Sequence, residues 1–120
     1  MQLDIDIEHR RFTLEVPNDV VAGADAFFAK MDEDMAAGWQ MSRRYVEHPD
    51  RLQRCQIAAD RLLTSLHSGN ESLTLMMAGY ILSRLPDVSR VEIDTNGEMF
   101  NTRFVLASGQ ILAESDGDND

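Results

Sequence analysis

The chain has 120 residues, the size of one ordinary domain, and its 43% hydrophobic and 27% charged residues describe a folding chain and exclude a disordered one. A formal charge of -10 argues against nucleic acid and anionic membrane as partners, since both carry the same sign. No run approaches the ~20 apolar residues that span a bilayer. The N-terminus has no basic-then-apolar leader, and the one cysteine, Cys55, cannot close an internal disulfide, so a cytoplasmic protein is expected.

Leu3, Ile5 and Ile7 alternate with acids, and Phe12, Leu14 and Val16 alternate with Thr13 and Glu15. This period of two predicts two half-buried strands. A turn at His9-Arg10 would set Ile7 opposite Phe12, Ile5 opposite Leu14 and Leu3 opposite Val16, with all six side chains on one face. Pro17 closes the second strand, and Asn18 is a good cap for the helix that follows. Val20, Ala24, Phe27, Phe28, Met31, Met35 and Trp39 recur at helical spacing, with Asp25, Asp32, Glu33 and Asp34 on the wet side. Gly38 marks a bend or break before Tyr45 and Val46.

Pro49 is placed in the first turn of a second helix, whose apolar stripe is Leu52, Cys55, Ala59, Leu62 and Leu66. Ser68-Gly69-Asn70-Glu71 has the spacing of a capping box and opens a third helix, which must stop near Leu85 because Pro86 follows. Between Glu71 and Arg84 this helix carries no charge at all. Being apolar on nearly every face, it has to be covered all round. After Asp87 the period of two returns. Val91 and Ile93 lead into Asn96-Gly97, a strong two-residue hairpin signal that would place Ile93 opposite Phe100 and Val91 opposite Thr102. Ser108-Gly109 turns the chain again toward Ile111 and Leu112.

The expected fold class is therefore α+β, one domain over residues 1–113: an N-terminal β-hairpin, three central helices and a C-terminal two- or three-stranded antiparallel meander. Residues 114–120, Glu-Ser-Asp-Gly-Asp-Asn-Asp, are expected to be an acidic disordered tail. The hairpins either join in one sheet or stay apart. The hairpin running straight into a long helix resembles the start of ZapA-type cell-division regulators over the first third of the chain. The likeness ends where those proteins continue as a coiled coil and this chain returns to strands, and no family follows from it.

No catalytic, cofactor or metal motif stands out. The consecutive acids Asp32-Glu33-Asp34 diverge by about 100° each on a helix and so do not converge on an ion. Glu47, His48, Cys55 and His67 lack the close spacing of chelating pairs, and Asp94–Glu98 is too short for a calcium loop. The seven glycines are scattered, without a phosphate-binding pattern. No cofactor is expected. Arg43, Arg44, Arg51, Arg54 and Arg61 form a locally basic segment, read as pairing with acids or as a patch for an anion or acidic partner. Trp39, Met76, Met77 and Tyr80 are the expected interface residues, because soft and amphipathic side chains suit contact centres.

Three functional readings follow. The first is a non-catalytic homodimer or accessory subunit that binds another protein, on the ground that the uncharged helix needs a partner's cover. The second is a module holding an apolar small molecule near Phe27, Phe28, Trp39 and Met77. The third is an enzyme whose site is assembled from His48, arginines and carboxylates across a subunit boundary.

Overall fold

The alternating strand patterns form one five-stranded sheet, ordered β2-β1-β5-β6-β7 in the computed structural model, which describes residues 1–113. Its strands are β1 (Gln2–Ile7), β2 (Arg10–Glu15), β5 (Val88–Ile93), β6 (Arg103–Leu106) and β7 (Ile111–Leu112). Between β2 and β5 come α1 (Asn18–Gly23), α2 (Asp25–Ala36), a small hairpin of β3 (Trp39–Met41) and β4 (Arg44–Val46), α3 (Arg51–Ser68) and α4 (Glu71–Arg84). The fold is α+β, and the two hairpins join through a parallel pairing of β1 with β5. The sheet is thus mixed; every other pairing in it is antiparallel.

Both hairpins depart from the expected register by two residues. The N-terminal turn is Glu8-His9, so Ile7 faces Arg10, Ile5 faces Phe12 and Leu3 faces Leu14. Both turn residues have positive φ, 51° at Glu8 and 68° at His9, the backbone that right-twisting strands require of a two-residue loop. In the C-terminal hairpin Val91 faces Phe104 and Glu92 faces Arg103. Asn96-Gly97 lies within a longer connection, organised by the Asp94 carboxylate, which accepts the amides of Asn96 and Glu98 at 3.0 Å each. A 3-10 turn, Met99–Asn101, completes it. A shift of two preserves the side-chain faces, so Leu3, Ile5, Val91 and Phe104 are buried as their pattern demands.

The helical region holds four helices, not three. The first expected helix breaks at Ala24, which caps α1 and α2 in turn. It ends at Ala36, and Trp39 belongs to a strand. Gly38 takes φ +116°, and a Cβ there would run into the Tyr45 ring, so only glycine fits this exit. Pro49 lies before the cap of α3; Asp50 is the cap, and its capping box pairs Asp50 with Gln53. Ser68 ends α3 rather than capping α4. Gly69, left-handed at φ 75°, closes α3, and Asn70 caps α4 by accepting the Leu73 amide.

The core is one continuous cluster between the sheet and the helices. From Leu73 to Leu85 no residue of α4 or its cap is exposed. Gly79 lets the helix approach Phe28, Val20 and Val16 from the first two helices and the end of β2. The shelter that the uncharged helix requires comes from its own chain. The expected tail, residues 114–120, lies outside the described residues.

Candidate functional site

Of the residues expected at an interface, Met77 and Tyr80 are fully buried inside the chain, while Met76 and Trp39 are half-buried. Burial takes Met77 and Tyr80 out of reach of a partner, while Met76 and Trp39 keep part of their surface exposed. The basic segment divides between different tasks. Arg44 lies over the Phe100 ring at 4.1 Å, Arg54 turns inward, Arg43 and Arg51 are exposed, and Arg61 is half-buried.

Arg54 leads to a cluster that the sequence reading missed. Asp32 points in from α2 and gathers side chains of α3 and α4. Arg84 donates to its Oδ2 from Nε at 3.0 Å and from Nη2 at 2.6 Å, and the Tyr80 hydroxyl donates to Oδ1. Arg54 Nε lies 3.2 Å from Oδ1 without hydrogen-bond alignment, and its Nη1 donates to the Pro49 carbonyl at 2.8 Å. Burial alone would raise the Asp32 pKa, but the Arg84 and Tyr80 hydrogen bonds outweigh it, and the acid sits below its ordinary value. Burial, then the bond to Asp32, pushes the Tyr80 phenol up. An acid held charged and a phenol held neutral, each saturated by partners, make a structural tie between three helices. Of the acid run, only Glu33 and Asp34 lie exposed, both near Lys30.

Cys55 is buried in α3, and burial pushes its thiol up to about 12, which leaves no thiolate for nucleophilic chemistry. A broad cleft, about 680 Å³, opens beyond the ends of β1 and β5. Its acids are engaged within the chain: Asp6 with Arg11, Glu8 with Thr95, Glu92 with Arg90 and Arg103, and Asp94 with loop amides. Among the described residues no group of three or more His, Cys, Asp or Glu side chains is arranged to hold a metal, and no helix is long and apolar enough to cross a membrane.

The remaining feature is the outer side of β2. This strand is an edge of the sheet, six residues long, without proline or bulge. Val16 and Met1 exchange backbone bonds of 2.7 Å in both directions, so even-numbered residues of β2 bond to β1. Arg11, Thr13 and Glu15 therefore turn their amide and carbonyl groups outward, with no pairing strand among the described residues. On the helix side the edge carries Phe12, 36% exposed, and half-buried Leu14. Beside Leu14 is a recess of about 230 Å³ floored by Leu66, Thr74 and Leu75. The other edge, β7, has only two residues. A long strand edge bordered by an apolar recess is equipped to accept another strand. No family model matches the chain, and neither the curated proteins nor the solved structures contain a match to it.

Proposed function

We propose that this chain works by binding protein, without catalysis, as a small accessory or assembly subunit, and that the β2 edge is its working surface. The observation that carries this reading is the row of outward backbone groups at Arg11, Thr13 and Glu15 beside the recess at Leu66 and Leu75. Strand addition draws affinity from main-chain hydrogen bonds and selectivity from alternate side chains, and this edge offers both. The Asp32 cluster supports the reading indirectly. Its charged groups are spent on holding α2, α3 and α4 together.

Selection of displayed random peptides on the immobilised protein tests it. Binders should be extended segments with an apolar residue at alternate positions, and Thr13→Pro should abolish their binding. Proline there removes an outward N–H and leaves the β1 ladder untouched. Binders that keep their affinity for Thr13→Pro would place the working surface elsewhere.

A further inference from the structure

We infer that the occupant of the β2 edge is the β2 strand of a second copy, added antiparallel about a twofold axis through Thr13. The inference rests on the protein-binding reading above and names its partner. It comes from the strand's own sequence, Arg-Arg-Phe-Thr-Leu-Glu, read against itself.

A sheet continued across a twofold axis must keep its helix-bearing faces on one side, so residues of equal parity face each other. The outward bonding groups belong to odd-numbered residues, so the hydrogen-bonded pairs must also be odd with odd. With Thr13 opposite Thr13 of the partner subunit, both conditions hold. Arg11 then faces the partner's Glu15 and Glu15 faces the partner's Arg11, while Phe12 and Leu14 face each other across the seam on the helix side. From Arg11 to Glu15 each pair is of a favourable kind: opposite charges, apolar with apolar, threonine with threonine. The register forms about six backbone hydrogen bonds.

The neighbouring registers are worse. A slip of two residues one way sets Phe12 opposite itself and Arg11 opposite threonine; the other way sets Leu14 opposite itself and Glu15 opposite threonine, so either slip gives up both Arg11–Glu15 pairs. A slip of one turns each charged face against an apolar one. The recess adds an independent fit. Its wall is Leu14, the residue that faces the partner's Phe12, so each phenylalanine is brought to the mouth of the other copy's recess at Leu66 and Leu75. On the opposite face an ion-pair row already runs Arg103–Glu92, then Asp6–Arg11. The partner's Glu15 extends that row with the correct sign. Joining two five-stranded sheets in this way removes the long open edge of both.

Cysteine cross-linking reads the register directly, with buried Cys55 as a silent background. Facing residues in such a pair have Cα atoms about 5.5 Å apart, within the disulfide range. Thr13→Cys should therefore form a covalent dimer on mild oxidation. Arg11→Cys or Glu15→Cys alone should not, since each lies four residues, roughly 13 Å, from its own copy. Arg11→Cys mixed with Glu15→Cys should cross-link. Light scattering gives a second arm. Arg11→Glu and Glu15→Arg should each weaken self-association about tenfold, and an equimolar mixture of the two should pair as well as the unaltered protein. Thr13→Cys that cross-links no better than Arg11→Cys, or a monomer at every concentration tested, overturns the second copy as occupant. If selected peptides still bind and Thr13→Pro still blocks them, the edge serves a different protein; if no peptide binds there, the protein-binding reading falls as well.

Discussion

Replacing Asp32 by asparagine removes one charge from a cluster in which three donors point at a single carboxylate. An asparagine can keep its oxygen toward Arg84 and so retain the bonds at 3.0 and 2.6 Å. Its amide then faces the Tyr80 hydroxyl, which has to turn from donor to acceptor, and the Arg54 Nε–H, where a donor meets a donor. Hydrogen bonds to charged groups contribute about 1.5–3 kcal/mol against about 1 for neutral ones, so the Tyr80 and Arg84 bonds, now made to a neutral side chain, lose roughly 2 kcal/mol between them. Stranding Arg54 adds to this, while the 31% exposure of Asp32 and 24% of each arginine screens part of it. The expected loss is about 2 kcal/mol, or a Tm lower by roughly 6–12 °C. Urea unfolding of both proteins measures it, with an unchanged slope as the check that only stability has moved. The acid's pKa is depressed in the folded chain, so its contribution is complete above the ordinary value of 3.8 and is lost as pH falls through the lower folded value. The gap between the two proteins should stay level at neutral pH and close below about pH 4. A gap under about 0.5 kcal/mol, the scale of an ordinary surface substitution, or one that persists undiminished in acid, would show that the cluster is not the tie described.

Gly79→Ala tests how tightly α4 is wrapped: the new Cβ would lie 3.2 Å from Phe28 Cζ and 3.4 Å from Val20 Cγ1. Alanine gains about 1 kcal/mol in helix propensity, but Phe28 is fully buried and edge-on to Tyr80 at 5.8 Å, so overpacking should win by roughly 1 kcal/mol. A more stable variant in thermal unfolding would mean that this contact is loose. Replacing Glu8-His9 by Asn-Gly should raise stability by about 1 kcal/mol, because both native residues hold a left-handed backbone that asparagine and glycine adopt with less strain. The exposed bond from Thr95 to Glu8 is a small loss against it. Unfolding in urea at no higher midpoint than the parent protein would refute the strain argument.

The period-two pattern was enough to identify the strands of the five-stranded sheet, though not the short β3–β4 hairpin, and it could not position the turns. Glu-His lacks the residues that normally advertise positive φ, so nothing in the sequence marked the turn at its true place. Asn96-Gly97 advertised a tight turn that the Asp94 carboxylate stretched into a longer loop. Both errors were shifts of two, which is why the core survived them. Trp39 sat at helical spacing by coincidence, beyond a glycine whose φ ends the helix. The inward turn of Asp32 did leave a signal: it follows Phe28 by four residues and precedes Met35 by three, both buried, and so shares their face. Its membership of an acidic run concealed that. The parallel join of β1 to β5 left no local trace, since pairing between distant strands depends on how the helices fold back.

Covering an apolar helix and satisfying a backbone are separate physical problems, and the described residues settle the first while leaving the second open at β2. The uncharged α4 directs attention to hydrophobic surface, yet its side chains are sheltered at home by the first three helices and the sheet. A sheet built by sequential addition must end somewhere, and its end strands keep one row of unpaired polar groups whatever their side chains do. At β7 that row is short; at β2 it spans six residues with a mixed charged and apolar pattern. Lysine, proline or a bulge would have blunted such an edge, and β2 has none of them. The case for association therefore passes from the side chains of α4 to the main chain of β2, where opposite charges two residues to either side of Thr13 make the strand complementary to itself.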